Sequence, residues 1–171
     1  MNLAYKDQLP DSFAPSSRVW IYQANRKFML SEVLAAEEIL NAFTAQWQAH
    51  GAPVKGFATI FFGQFVVLMA DETQTGVSGC STDSSVRVIK EIEQRFNITL
   101  FDRQLLAFVV KDKIELLPLS QLKYASDNGF LTPETIYFNN TVLTKAELQN
   151  NWMIPVSNSW LAKKISFPAS V

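Results

Sequence analysis

The run Gly79-Cys80-Ser81-Thr82-Asp83-Ser84-Ser85 concentrates small, hydroxyl and thiol side chains just ahead of a stretch with helical apolar spacing. Where a strand hands over to a helix, such a run can hold an anion. The first N–H groups of a helix lack intrahelical partners and carry partial positive charge. Gly79 allows close backbone approach, and Ser81, Thr82, Ser84 and Ser85 add hydroxyl donors for a phosphate or carboxylate. The same residues also read as an ordinary helix cap, because Ser, Thr and Asp are preferred there. Asp83 favours the cap, since its carboxylate competes for the same N–H groups.

Cys80 is the single cysteine and His50 the single histidine. A thiol at a helix start can ionise more readily and act as a nucleophile. His50 is the partner such a thiolate needs, and Asp71 or Glu72 can orient the ring. Nothing in the sequence brings His50 to Cys80, and a lone cysteine equally serves as a small buried hydrophobe. No paired short spacing of Cys, His or carboxylates signals a metal site, and no cofactor motif is present. Trp20, Trp47, Trp152 and Trp160 can line a pocket, but aromatic residues so spaced commonly pack in a core.

Composition limits the setting of any such site. The 171 residues are 48% hydrophobic and 18% charged, enough for a sizeable core and too apolar for general disorder. The net charge of −1, with no run of one sign, argues against a nucleic-acid surface. One cysteine cannot form an internal disulfide. The N-terminal residues lack the basic-then-apolar pattern of a signal peptide. The longest apolar run, Phe65 to Ala70, is too short to span a bilayer. These features together predict a cytoplasmic protein with no membrane partner. They leave the oligomeric state open.

The elements that would position the site follow from periodicity. Residues 1–16, broken by Pro10 and Pro15, read as a flexible, poorly packed arm. Residues 17–171 read as a single domain. Arg18 to Gln23 has strand composition. Ser31 is the expected cap of a helix whose stripe is Ala36, Ile39, Leu40, Phe43 and Trp47, ended by His50-Gly51. Val54 to Phe62 and Phe65 to Ala70 flank Gly63-Gln64, which suits a type II′ hairpin. Apolar residues on both faces of that hairpin predict a central place in a sheet. A second helix is capped at Thr82, Asp83 or Ser84 and runs to about Phe96. Leu105 to Val110 and Ile114 to Leu117 form another hairpin around Lys111-Asp112-Lys113. A polar helix near Leu119 to Ser126, a strand at Thr135 to Phe138 and a helix at Lys145 to Asn151 complete the chain. The order strand, helix, strand, strand, helix, strand is that of a ferredoxin-like core. The predicted class is therefore α+β, a mainly antiparallel sheet with helices on one face and a C-terminal extension.

Arg18 to Arg26, Trp47 to Gly51, Ser78 to Val86 and Leu100-Phe101-Asp102-Arg103 together resemble a bacterial family of uncharacterised proteins. Its members are often labelled ABC transporter ATPases. The resemblance runs from about Arg18 to Trp160, and it implies no particular activity or catalytic residue. The label conflicts with the residues. A P-loop needs Gly-x4-Gly-Lys-Ser/Thr between a strand and a helix. The nearest run, Gly51-Ala52-Pro53-Val54-Lys55-Gly56-Phe57-Ala58, has Phe57 and Ala58 where Lys and the hydroxyl residue belong, and it leads from a helix into a strand. Val77-Ser78-Gly79-Cys80-Ser81 shares only two positions with the transporter signature Leu-Ser-Gly-Gly-Gln.

The residues thus predict a non-enzymatic domain that binds a small anionic ligand or a protein partner near Gly79 to Ser85. The competing expectation is a cysteine-dependent hydrolase or transferase using Cys80 and His50.

Overall fold

The computed structural model describes residues 4–74, 76 and 79–167, without the side chain of Cys80. Along the chain lie β1 (Arg18–Gln23), α1 (Leu30–Gln46), β2 (Gln48–Ala49), β3 (Ala52–Pro53), β4 (Lys55–Phe61), β5 (Phe65–Asp71) and α2 (Gly79–Phe96). There follow β6 (Leu105–Val110), β7 (Lys113–Pro118), α3 (Leu122–Asp127), β8 (Ile136–Phe138), α4 (Lys145–Asn151) and β9 (Met153–Pro155). The fold is α+β, and all the strand pairs are antiparallel.

Every residue of β5 is buried, because both faces of its sheet are covered. The sheet order is β1-β5-β4. Period-2 alternation sends Val66 and Leu68 to one face, against Ala36, Leu40, Ile89 and Ile92 of α1 and α2. Phe65, Val67 and Met69 go to the other, against Ala107, Phe138, Leu148 and Trp152. The β4–β5 hairpin thus has both faces covered, but only β5 is central; β4 is an edge strand. Its turn also differs from the II′ expectation. Both Phe62 (φ 57°) and Gly63 (φ 60°) are left-handed, the signature of type I′. Left-handed backbone costs a bulky residue roughly 1–2 kcal/mol. Phe62 is held there by ring contacts with Tyr5, Phe138 and Trp152.

Three strands follow the split βαβ order, and the fourth does not. A ferredoxin-like core would set β6 beside β1 in one sheet. Instead β6 lies in a second sheet of order β7-β6-β8-β9. The reason is local pairing: β6 meets β7 over a two-residue turn at Lys111 and Asp112, and β8 takes its other side. With both edges occupied, β6 has none left for β1.

The N-terminal segment is packed, not loose. Tyr5, Leu9 and Phe13 are buried in the aromatic core, although breakers and polar residues hide their spacing in the sequence. The Tyr5 hydroxyl donates to Leu148 O at 2.6 Å, and burial pushes its pKa up to about 12. Lys145 Nζ donates to Pro10 O and Phe13 O at 2.8 and 2.9 Å. Asp71 accepts from Ala14 N at 3.2 Å.

α1 starts two residues earlier than Ser31 suggests. Its N-cap is Met29, and Glu32 closes the start by accepting from Met29 N at 2.8 Å. A bidentate pair with Arg26 holds Glu32 in place and keeps its carboxyl below the ordinary range. The C-terminal end of α1 also differs. The helix stops at Gln46, and His50-Gly51 is the turn of the small β2–β3 hairpin, both residues with positive φ. α4 matches its expected span; Thr144 Oγ1 caps it by accepting from Glu147 N.

Candidate functional site

The Gly79–Ser85 segment is not a loop. It forms the first two turns of α2, which begins at Gly79 rather than at Thr82, Asp83 or Ser84. Ser81 and Ser85 are fully buried, and both donate to protein carbonyls: Ser81 Oγ to Gln48 O at 3.0 Å, Ser85 Oγ to Thr82 O at 2.7 Å. Ser84 Oγ accepts from Arg87 at 3.3 Å. Thr82 is half-buried and Gly79 exposed. The Trp47 indole donates to Ser81 O at 3.1 Å. Ser81 and Trp47 therefore fasten the start of α2 to β2 and to the end of α1, while the Ser84 and Ser85 bonds lie within α2. His50 is exposed at the β2–β3 turn, and the Cys80 side chain lies outside the described residues. Among the described residues no group of three or more His, Cys, Asp or Glu could hold a metal. No helix among them is long and apolar enough to cross a membrane.

The glycines that resemble a P-loop have structural roles. Gly51 supplies the left-handed turn (φ 78°). Gly56 lies on β4 under Trp47, where a Cβ would come within 2.8 Å of the indole. The run leads into an edge strand and opens no helix.

A different site arises where β6 leaves β1. Antiparallel pairing points the N–H and C=O of Arg18, Trp20 and Tyr22 at β5, so those of Val19, Ile21 and Gln23 face outward. At one end of this outer edge Val19 N donates to Leu143 O at 2.9 Å, and Lys145 N donates to Ser17 O. The chain then turns away: Leu143 N goes to Glu147 at 2.7 Å instead of returning to β1. At the other end Asn25 N donates to Thr99 O at 3.1 Å. Between these ends is a cleft of about 380 Å³, bounded by β1, residues 100–106 and residues 137–143.

Its floor is a chain of amides joining the two sheets. Trp152 Nε1 donates to Asn140 Oδ1, Asn140 Nδ2 to Gln23 Oε1, and Gln23 Nε2 to Leu105 O, at 2.9, 2.9 and 3.0 Å. Phe101, Leu143 and Trp160 form an exposed apolar rim. Trp160 donates to the Tyr137 hydroxyl at 3.2 Å, and Tyr22 packs edge-on against Phe101. Burial raises the pKa of both phenols; Ser85 and Arg103 oppose it at Tyr22, and Trp160 opposes it at Tyr137. Both phenols are therefore neutral near pH 7. Asp102 and Arg103 stand exposed at the mouth and contribute opposite charges.

These residues come from three distant segments, so no local spacing announces them. The one local signal is Gln23, a polar residue closing an apolar strand. Comparison of the chain with family models, with curated proteins and with solved structures finds no match.

Proposed function

We propose that this protein is a non-enzymatic binding domain whose site is the cleft at the outer edge of β1, and whose ligand is small and uncharged. The observation behind this reading is the lining itself. Apolar walls and rim surround a few fixed neutral amides within a volume typical of small-molecule sites, about 300–1,000 Å³. Three of the large apolar side chains exposed in the protein, Phe101, Leu143 and Trp160, gather at this one mouth. The phenols are neutral at pH 7, and Tyr137, which accepts from Trp160, keeps its own O–H as a donor. The reading retains a small ligand but moves it away from the start of α2, where the Ser81 and Ser85 hydroxyls donate to carbonyls of the chain.

The test is ligand-observed NMR with benzamide and N-benzylacetamide, on the full chain and on Thr141→Trp. Thr141 is exposed at the cleft, so tryptophan there fills the cavity without entering the core. Saturable binding that disappears in Thr141→Trp, with an unchanged melting temperature, is expected. Failure of both probes to bind, or equal binding to the filled variant, rejects the reading.

A further inference from the structure

The ladder on the outer side of β1 is interrupted rather than finished. Its register positions from Val19 to Asn25 span about 20 Å at strand rise. Both ends are occupied, Val19 N by Leu143 O and Asn25 N by Thr99 O. Between them, the N–H and C=O of Ile21 and of Gln23 have no partner among the hydrogen bonds of the described residues. Gln23 is buried with its side chain bridging Leu105 and Asn140, which leaves the N–H and C=O of Ile21 open to the cleft. Ile21 is half-buried on the wall of the cleft, so these two groups form a donor and an acceptor fixed side by side. Unpaired backbone groups removed from water are costly, and they accept a partner of matching geometry readily.

Building on the cleft reading above, we infer that the ligand is a short extended peptide unit that completes the ladder at Ile21. An antiparallel hydrogen-bonded pair exchanges two N–H···O=C bonds between two facing residues. The ligand must therefore show its own N–H and C=O on one side, separated by a single Cα. An α-aminoacyl residue with an amide on each side does this when extended. The occupied ends limit the length: one residue pairs fully, and its flanking amides fill the rest of the gap. A long strand cannot add here, because residues 99 and 143 already lie against the same edge. The charges of Asp102 and Arg103 oppose each other at the mouth, and the floor is neutral amide, so the unit recognised is uncharged. Phe101, Leu143 and Trp160 provide the apolar surface for its side chain. The occupant is therefore a free blocked aminoacyl unit rather than an internal segment of a partner protein, whose continuation residues 99 and 143 obstruct.

The deciding change is made in the ligand, so folding is not perturbed. The probes are N-acetyl-leucine N′-methylamide and the ester in which the leucine N–H is replaced by oxygen. They are titrated into the 15N-labelled full chain. The amide probe is expected to move the backbone resonance of Ile21. The ester is expected to bind about tenfold more weakly or worse, because it loses one hydrogen bond and leaves Ile21 C=O facing an oxygen. A leucine dipeptide unit inside a longer disordered chain should bind less tightly than the blocked residue, since residues 99 and 143 obstruct its continuation. Equal affinity of amide and ester overturns the inference, as does binding that leaves Ile21 unmoved. If both fail while N-benzylacetamide still binds and is lost in Thr141→Trp, the peptide inference falls and the cleft reading stands.

Discussion

The three-stranded sheet meets the rest of the chain along two seams that are finished in opposite ways. Under the N-terminal segment, polar groups are closed but for the buried hydroxyl of Ser17, which has no partner among the described residues. Lys145 donates to Pro10 O and Phe13 O, Asp71 accepts from Ala14 and Thr73, and Tyr5 donates to Leu148 O. Along the outer edge of β1, a floor of linked amides is also closed, but the backbone of Ile21 is not. Both seams are lined by aromatic residues, so aromatic content does not distinguish them. Hydrogen-bond completion does. A completed seam adds stability and has nothing left to offer a ligand; an interrupted one gives up some stability and keeps donors and acceptors available.

The largest expected effect comes from breaking the closed seam. Deleting residues 1–16 exposes the cavity left by Tyr5, Leu9 and Phe13 and strips Lys145 of two carbonyl partners. Each buried side chain contributes about 1.5–3 kcal/mol, partly offset by the entropy of ordering the segment. With a net loss on the order of 5 kcal/mol, the melting temperature should fall by roughly 10–20 °C. A fall of only a few degrees in a thermal scan would show that the two seams do not differ in this way.

A smaller effect is expected at Asp71, and pH sharpens it. Hydrogen bonds from the Thr73 backbone and side chain hold its carboxyl well below the usual carboxylate range, against the opposing pull of burial, with added donation from Ala14 and Lys55. The native state therefore favours the ionised form. That contribution is fully present above the unfolded value of about 3.9 and drains as pH falls through the lower native value. Asp71→Asn should cost about 1–3 kcal/mol at pH 7. Urea unfolding at pH 7 and pH 3 should show the gap between variant and parent narrowing in acid. A gap that stays constant with pH would mean that charge at Asp71 contributes nothing.

The fold was legible where one element announces its own burial. Alternating apolar residues gave both faces of the β4–β5 hairpin, and the 3.6-residue stripe gave α1. Lys145 to Asn151 could be read as a helix from composition alone. Legibility failed wherever a partner decided the outcome. Tyr5, Leu9 and Phe13 are spaced by four, but Pro10 and the polar residues between them mask that spacing, and the bonds that hold the segment are distant: Tyr5 donates to Leu148 O, and Lys145 donates to Pro10 O and to Phe13 O, 132 residues away. Gly79 to Ser85 has the composition of a cap or an anion loop, and it became helix because Ser81 and Trp47 tie it to the end of α1 and to β2. The ferredoxin-like order was apparent in the string of elements. What the string could not show is that β8 would take the side of β6 that β1 needed. The cleft is a consequence of that competition, and its residues, Gln23, Leu105 and Asn140, meet only in the folded chain.

The smallest effect on stability, and the sharpest separation of the seams, is expected at Leu143. Its side chain is 68% exposed, its N–H is held by Glu147 and its C=O by Val19, all through the backbone. Leu143→Ser keeps those backbone bonds and removes only apolar surface from the rim of the cleft. Surface changes of this kind alter stability by about 0.5 kcal/mol or less. The same change removes a contact surface for any apolar group in the cleft, so binding of N-benzylacetamide should weaken several-fold while the urea midpoint stays in place. A loss of stability comparable to that of Asp71→Asn would place Leu143 among the structural residues and make the rim part of the closed seam. A weakened ligand on an unmoved midpoint would show that stability and binding are divided between the two seams of one sheet.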